Sequence, residues 1–297
     1  MRKVVSCEYI DDVEDTYNLH IKTDHNYIVN DVVVSNCHLA KGNVISSILN
    51  QLVECPHKVG LTGTLSADES KVSELQLVGL FGPVHKTITT RELIDNGNIA
   101  DMRIESLLLS YPDEDKQNCK KLTYQQEIDW LTTHPKRNFF LSKLVSLQKG
   151  NTIILFNFIK HGKDLLERIK ELCPDRPVYY ISGEVDGDER EVIRQAMEDH
   201  DDAIIVGNIS VIGTGVSIKK LHSMILAHPT KSRIRTLQAV GRMLRKHTTK
   251  TKAVVYDIAD DLQWKKRKNY GLGHYTSRIK YYAQEKLDYT MKKIRIG

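Results

Sequence analysis

The chain has 297 residues and a formal net charge of +5, and 40% of its residues are hydrophobic and 27% charged. This composition is that of a globular protein of about two domains. No uninterrupted apolar run approaches ~18 residues and the first residues lack a signal-peptide core, so we expect neither a membrane span nor a membrane partner, and a cytoplasmic location. Five cysteines without a Cys-x-x-Cys pair argue against a disulfide framework or a zinc knuckle.

Charge is distributed unevenly along the chain. Residues 231–297 contain 18 Lys and Arg against 5 Asp and Glu, whereas residues 1–36 contain 3 against 7. A basic final quarter is typical of proteins that bind phosphate groups, either of nucleotides or of nucleic acid. A solvated basic tail explains the composition equally well.

Residues 1–36 show no helical pattern. Three runs rich in Val, Ile and Tyr, at 3–10, 16–22 and 27–34, are separated by acidic or Asp-His-Asn turns and predict short strands. Three short strands bury too little surface to fold alone. Another segment must complete this sheet.

Residues 37–149 change character. We predict helices at 43–52, 69–80 and 91–97, a buried strand at 58–64, a strand at 102–109, and a mostly helical, polar stretch at 114–148. From residue 150 strands and helices alternate, as in a parallel α/β sheet. The predicted strands are 152–157, 178–181, 203–206, 223–227 and 253–257, and the predicted helices are 161–172, 188–199 and 232–244.

The Asn36–Cys37 peptide bond joins these two kinds of sequence. An asparagine amide can attack its own backbone carbonyl and cleave the chain, and a cysteine thiol can carry an acyl group as a thioester. The amide is a poor nucleophile and needs a general base, for which His25 is suited near pH 7. A lone Asn-Cys pair or a lone histidine would more often have no such role.

Residues 1–36 resemble the C-terminal piece of a split intein, the smaller part of a Hint-fold protein-splicing element. By this resemblance, His25 assists the final steps beside the acid Asp24, Ser35 is the penultimate residue, Asn36 cyclises and Cys37 begins the C-extein. Two positions depart from the common pattern, since many inteins have His at the position of Ser35 and Gly at that of Asp31. Splicing itself needs no cofactor.

Residues 37–297 resemble the C-terminal part of a superfamily 2 helicase, most closely the phage UvsW-type DNA helicases. The resemblance implies two RecA-like domains, ATP with Mg²⁺ as cofactors, DNA as partner and the host cytoplasm as location. The matching positions include the Asp-Glu-x-His remnant Cys37-His38 and the motif VI residues Gln238, Gly241, Arg242 and Arg245. By the resemblance, DNA is bound by Phe156 in the motif-IV strand, by Ser182 and Gly183 at the next strand end and by Thr214 in motif V. The resemblance also implies that Thr62, Thr64, Gly215 and Ser217 bind ATP or couple its hydrolysis to DNA movement.

The motif VI arginines have a physical reason for their spacing. Arg242 and Arg245 lie three residues apart, on one face of the predicted helix, so both guanidinium groups can reach one phosphate. Arginine fingers of this kind stabilise the charge of a transferring phosphoryl group. By the resemblance, Gln238 and Gly241 contact ATP as well. Lys265 and Lys266, in a basic run after Trp264, could follow a DNA backbone, although such runs more often face solvent.

The phosphate-binding part of the motor is missing from this sequence. No Gly-x-x-x-x-Gly-Lys-Ser/Thr pattern occurs, and no Asp-Glu pair precedes Cys37-His38. We therefore expect no metal site in this chain and no ATP hydrolysis by it alone. Splicing to an N-terminal half-helicase fused to a cognate N-intein would restore both features.

The sequence thus predicts an α/β protein preceded by a small all-β fragment. The predicted parts are a C-intein fragment at 1–36, the distal part of a first RecA-like domain at 37–112, a helical connector at 113–149, a complete second RecA-like domain at 150–262 and a basic extension at 263–297. The main hypothesis is a trans-spliced ATP-dependent DNA helicase of recombination, repair or replication. Two alternatives stay open: an inert DNA- or partner-binding module, and a fragment of a helicase with a continuous intein.

Overall fold

A computed structural model of the chain describes residues 26–29, 32–36, 58–61, 71–83, 90–215, 220–228 and 252–297, together with residues 47, 50, 51 and 218. The chain divides into two compact units, residues 1–85 and residues 86–297. The predicted strands at 3–10 and 16–22 and the predicted helix at 232–244 lie outside the described residues.

The described part of the first unit contains a three-stranded sheet of order β1-β2-β3 and one helix. Strand β1 (Asn26–Val29) and strand β2 (Val32–Asn36) form an antiparallel hairpin, so the predicted run at 27–34 is divided at Asn30 and Asp31. Strand β3 (Lys58–Leu61) pairs with β2 in the parallel direction, and helix α1 (Lys71–Phe81) follows. Parallel neighbours need a long crossover, and the residues described within it, at 47, 50 and 51, are helical.

The second unit is built on a seven-stranded sheet of order β10-β4-β9-β8-β5-β7-β6, in which every neighbouring pair is parallel. Its strands are β4 (Asp101–Ser110), β5 (Thr152–Phe156), β6 (Val178–Ile181), β7 (Ile204–Asn208), β8 (Ser223–Leu226), β9 (Lys252–Asp261) and β10 (Asp288–Arg295). Its helices are α2 (Thr90–Asp95), α3 (Asp113–Cys119), α4 (Tyr124–Thr133), α5 (Pro135–Ser146), α6 (Ile159–Leu172), α7 (Gly187–Asp199), α8 (Ile209–Gly215) and α9 (Tyr270–Gln284).

Both faces of this sheet are covered, as all-parallel sheets require. One core cluster contains Ile104, Ile153, Ile205, Met224 and Val255, and a second contains Leu109, Ile154, Phe156, Val206 and Ile258. Adjacent residues of one strand, such as Ile153 and Ile154, therefore pack into different clusters. This arrangement explains why β5, β7 and β8 are continuous apolar runs, buried along their whole length.

Local sequence signals set the helix ends. Thr123 caps α4 through a reciprocal capping box with Gln126, and Pro135 occupies the first turn of α5. Asp186 caps α7 by accepting a hydrogen bond from the Glu189 amide at 2.8 Å. In α6 the buried side is spaced at helical period, with His161, Leu165 and Ile169 facing the sheet.

The sheet differs from the predicted domain boundaries at two places. Strand β4, assigned from the sequence to the first RecA-like domain at 37–112, lies between β10 and β9 in the second unit. Strand β10 comes from the predicted basic extension at 263–297 and forms the edge beside β4. The reason is that β4 is buried on both faces, so it lies inside a sheet and pairs with a strand along each edge. These two strands, β9 and β10, are distant from β4 in sequence.

The predicted connector at 113–149 also belongs to the second unit. Leu131 on α4 and Leu141 and Val145 on α5 are fully buried in the same cluster as Phe156 and Leu165. These helices are therefore part of the core of the second unit rather than a connector between domains. Within the described part of the chain, no helix is long and apolar enough to cross a membrane.

Candidate functional site

The described part of the predicted splicing junction is the end of strand β2 (Val32–Asn36). Ser35 pairs with Asn26 of β1 on one side and with Gly60 of β3 on the other, and Asn36 pairs with Leu61. Because β2 and β3 are parallel, both strands end at the same edge of the sheet. The chain continues from β2 into Cys37 and from β3 into Thr62. The remaining predicted junction residues, Asp24, His25, Cys37 and His38, lie outside the described residues, as do Thr62 and Thr64.

The second unit places several predicted residues along one edge of its sheet. Strands β5, β6 and β7 end at Phe156, Ile181 and Asn208, and the register pairs Phe156 with Asn208 and Ile181 with Gly207. In open parallel α/β sheets, ligands bind outside the carboxyl ends of the strands. The predicted positions Phe156, Ser182, Gly183, Thr214 and Gly215 all belong to the last residues of these strands or to the segments that follow them.

Phe156 itself is a core residue. Its side chain is fully buried, and its ring stacks on that of Tyr180 with centroids 5.5 Å apart and planes 11° apart. A Cβ atom added at Gly162 would come within 2.6 Å of the Phe156 ring, so helix α6 passes directly over it. The ring positions this helix rather than lying at the surface where DNA was expected to contact it.

Ser182 and Gly183 differ in exposure. Ser182 is buried, and its hydroxyl oxygen accepts a hydrogen bond from the Glu184 amide at 3.2 Å, which shapes the turn before α7. Gly183 is exposed, and a Cβ atom there would meet nothing within 4 Å. Of the two, only Gly183 is accessible at this edge.

The junction between β7 and α8 leads into the predicted motif V residues, since α8 ends with Thr214 and Gly215. Asn208 holds this junction to the neighbouring strand, because its side-chain amide donates to the Asn157 carbonyl at 3.1 Å and its oxygen accepts from the Ser210 amide at 2.9 Å. Gly207 allows α8 to lie close to β7, since a Cβ atom would come within 2.9 Å of Ile212.

A buried polar network supports the same edge from the connector helices. The fully buried Arg137 side chain forms a two-point ion pair with Asp260 at 2.8 and 3.1 Å and donates to the Ala227 carbonyl at 2.8 Å. The Tyr111 hydroxyl donates to Asp260 at 2.7 Å. The network therefore fastens α5 to the ends of β8 and β9.

His161 lies on α6 beside this network. Its Nε2 atom is 3.2 Å from Asn138 Oδ1, and Asn138 also donates to Asp164 at 2.9 Å. Burial, reinforced by the nearby Arg137 and His228, lowers the pKa of His161 to about 3. The imidazole is therefore neutral near pH 7 and acts in positioning rather than as a cation.

Lys265 and Lys266 lie in a tight turn beside the connector. Trp264 and Arg267 exchange backbone hydrogen bonds of 3.1 and 3.0 Å, which leaves both lysines exposed at the tip, Lys265 with a left-handed φ of 53°. Arg267 donates to the Lys120 carbonyl. Lys120, Trp264, Arg267, Lys268 and Tyr270 line a shallow cleft of about 180 Å³ at this turn.

The remaining predicted positions, Ser217, Gln238, Gly241, Arg242 and Arg245, lie outside the described residues. Within the residues that the structure describes, no group of three His, Cys, Asp or Glu side chains is arranged to hold a metal ion. Sequence reasoning missed Asn208, Gly207, Arg137 and Asp260. An Asn-Ile-Ser step directly after a buried strand was the available signal for Asn208, whereas nothing local links Arg137 to Asp260, 123 residues away.

Comparison with known proteins defines the class of the second unit. Residues 136–247 match the family model of the helicase conserved C-terminal domain. Together with the parallel sheet, this match shows that the chain contains an α/β, RecA-like helicase C-terminal domain.

The chain is also similar to particular helicases and related enzymes. The ATP-dependent DNA helicase uvsW of Enterobacteria phage T4 is 40% identical over 273 residues, covering 88% of this chain and 54% of that protein. The crystal structure of T4 UvsW has a TM-score of 0.58 and 37% identity, covering 89% of this chain and 54% of that one. A fragment of a putative HsdR subunit of a type I restriction enzyme from Vibrio vulnificus has a TM-score of 0.67 at 15% identity, covering 89% and 48%, and supports the fold alone. The chain spans about half the length of these proteins.

Proposed function

We propose that this chain is the C-terminal precursor of an ATP-dependent DNA helicase that is completed by protein splicing between Asn36 and Cys37. The N-terminal partner is a half-helicase fused to a cognate N-intein, and it supplies the phosphate-binding loop and the Asp-Glu pair. After ligation, Asp-Glu would directly precede Cys37-His38 and complete the Asp-Glu-x-His box. Cys37 would then serve first as splicing nucleophile and afterwards as a motif residue.

The observation that carries the proposal is the junction itself. A segment with the residue types of an intein end directly adjoins Cys37-His38, where helicase-like sequence begins. The hairpin of β1 and β2, which ends at Asn36, supports a β-rich segment with the scissile bond at a strand end.

The ATP site proposed for the spliced protein combines both halves. Gln238, Gly241, Arg242 and Arg245 would come from this chain, with Thr62, Thr64, Gly215 and Ser217 coupling the site to DNA. Mg²⁺ would be held by the Asp-Glu pair of the partner. Arg242 and Arg245 would stabilise the negative charge of the phosphoryl group during its transfer from ATP.

DNA contacts are proposed at the carboxyl edge of the second sheet and at the basic turn. Of the residues predicted to bind DNA, Gly183 and Thr214 are proposed as contacts at that edge, and Lys265 and Lys266 would contact phosphates at the turn. Phe156 and Ser182 are proposed as supports, because both are buried beneath that edge.

Co-expression with the cognate N-terminal half tests the splicing step. We expect a ligated product and an excised intein, and we expect Asn36→Ala and Cys37→Ala each to abolish ligation. Holding the reacting groups together accounts for as much as about 7–11 kcal/mol of the barrier, so loss of either group should leave no detectable product. Ser66→Ala, outside the junction, is the matched control. Ligation by both junction variants would refute the mechanism.

Nucleotide turnover tests the helicase step. The unspliced chain should show no DNA-stimulated ATP hydrolysis, and the ligated product should show it. Robust turnover by the unspliced chain would overturn the proposal. The reading frame upstream of the coding sequence separates trans-splicing from a continuous intein.

A second candidate is an inert DNA- or partner-binding module. The excess of cations in residues 231–297 and the complete second sheet favour it. It predicts salt-dependent DNA binding by a chain that never ligates.

A further inference from the structure

Two exposed tyrosines and a partly buried histidine form an aromatic cluster beside the basic turn. Tyr124 and Tyr270 are each the first residue of a helix, α4 and α9, and are 36% and 45% exposed. Their rings meet edge to face with centroids 5.7 Å apart, and His274 lies 5.5 Å from Tyr124 in the same manner. Neither tyrosine belongs to either core cluster, so core packing does not account for the pair.

The two segments that carry these rings are fixed to each other. The buried Glu127 carboxylate accepts hydrogen bonds from the Tyr270 amide at 3.0 Å and the Gly271 amide at 2.7 Å, and thereby caps α9. The Asn269 side chain donates to the same carboxylate at 2.9 Å. Arg267 adds the bond to the Lys120 carbonyl. The rings therefore sit on two rigid helix ends rather than on loops.

The two segments that carry the tyrosines are rich in cations. Residues 120–127 and 263–274 contain six Lys and Arg and a single acid, Glu127, whose oxygens are occupied by the cap of α9. Tyr270 lines the same cleft as Lys120, Arg267 and Lys268. Three cations and an exposed tyrosine thus line one cleft.

Cations next to exposed rings match the chemistry of an unpaired nucleic-acid strand. Such strands offer a phosphate backbone to the cations and free base faces to the rings, whereas a duplex hides its base faces. We infer that Tyr124, Tyr270 and His274, with the basic turn at 265–268, form a stacking platform for single-stranded DNA. The inference rests on the proposed function only in taking DNA as the ligand, and it adds a contact outside the carboxyl edge of the sheet.

Fluorescence anisotropy with the full unspliced chain tests the platform. The probes are a thymidine oligonucleotide of about 12 nucleotides, within the usual site size, and a duplex of the same length. We expect Tyr270→Ala to weaken single-strand binding by about 5-fold or more, and Tyr270→Phe, which keeps the ring, to bind as the parent does. Phe139→Ala removes a ring that is 53% exposed on α5 and should leave affinity unchanged.

The charged part of the platform has its own readout. Replacing Lys265 and Lys266 by Gln should lower the slope of log affinity against log salt by about 1.4 for the single strand, and Lys170→Gln on α6 should leave it unchanged. Parent-like binding by Tyr270→Ala would overturn the platform, as would an equal loss on the duplex or an equal loss in Tyr270→Phe. Ligation of the Tyr270→Ala variant is measured in parallel, so failure of the platform is distinguished from failure of splicing.

Discussion

The two sheets of this molecule differ in how far apart in sequence their paired strands lie. In the first unit, β1 and β2 pair across a two-residue connection, and β3 joins them in the parallel direction. In the second unit, β4 lies between β9 and β10, which are more than 140 residues further along the chain. The described part of the first sheet has three strands, and the second has seven with a core cluster on each face.

This difference indicates which unit can stand alone. A three-stranded sheet of four- and five-residue strands buries little apolar surface, whereas a parallel sheet covered on both faces is a complete core. The first unit is therefore the part expected to depend on a partner, and the second the part expected to fold without one. Both tryptophans, Trp130 and Trp264, belong to the second unit, so intrinsic tryptophan fluorescence reports on that unit alone.

The largest expected effect comes from breaking the buried ion pair of the second unit. Asp260→Asn leaves the Arg137 guanidinium buried without its counter-charge, and we expect a loss of about 3–5 kcal/mol in the free energy of unfolding. Urea unfolding followed by tryptophan fluorescence measures it. Adding Arg137→Met removes the stranded charge and should recover part of the loss in a double-mutant cycle. A loss below about 1 kcal/mol would show that the second unit does not depend on this network.

A Gly→Ala substitution should lower stability in the second unit and raise it in the first. Gly162→Ala forces a methyl group against the Phe156 ring and should destabilise the second unit by about 1–3 kcal/mol. Gly79→Ala in α1 meets nothing within 4 Å and should stabilise that helix by about 0.5–1 kcal/mol. Thermal unfolding followed by far-UV circular dichroism measures the effect of both variants. Tryptophan fluorescence measures the effect of Gly162→Ala on the second unit separately. Equal signs would contradict the contrast in packing between the units.

Acid should weaken the second unit through His161. Its pKa is lowered to about 3 in the folded state, against an ordinary value of about 6.5, so the unfolded chain binds the proton first as pH falls. This contribution to stability is complete above about pH 6.5 and is lost between about pH 6.5 and pH 3, at up to about 1.4 kcal/mol per pH unit. Tryptophan-monitored unfolding across that range should show a shallower slope for His161→Gln than for the parent. Identical slopes would remove His161 as the cause.

The smallest expected effect lies at the edge of the second sheet. Lys293 on β10 pairs with Asp261 on β9 at 3.1 Å, but its side chain is 60% exposed. Lys293→Gln should therefore change the free energy of unfolding by less than about 1 kcal/mol, because solvent screens such pairs. A change above about 2 kcal/mol would mean that the edge strand is held by its side chains rather than by its backbone ladder.

Much of the second sheet could be predicted from the sequence. Continuous apolar runs such as 152–156 and 203–206 mark strands buried on both faces, and the helices between them have helical spacing. The place of β4 and β10 could not be predicted, because their pairing joins residues nearly 190 positions apart and leaves no local trace. For the same reason the link between Arg137 and Asp260 was invisible.

Some predicted site positions follow strands that could be predicted from the sequence. Parallel topology brings the segments after β5, β6 and β7 to one edge, and Gly183 and Thr214 lie in the segments after β6 and β7, where their roles stay predictions. The burial of Phe156 was readable in hindsight from its position in the unbroken apolar run Thr-Ile-Ile-Leu-Phe. The aromatic platform was not readable, because Tyr124 and Tyr270 meet only through the folding of α4 against α9.

The parallel pairing of β2 with β3 has a consequence for the proposed splicing reaction. While the Asn36–Cys37 bond is intact, the two strands belong to one polypeptide, and their association does not depend on concentration. In the proposed reaction, cutting that bond would make residues 1–36 a separate molecule, bound to β3 through the four backbone register positions of β2 and able to dissociate or be replaced. An incoming strand covalently attached to Cys37 would then hold the advantage of tethering, since its local concentration at β3 far exceeds that of any free peptide.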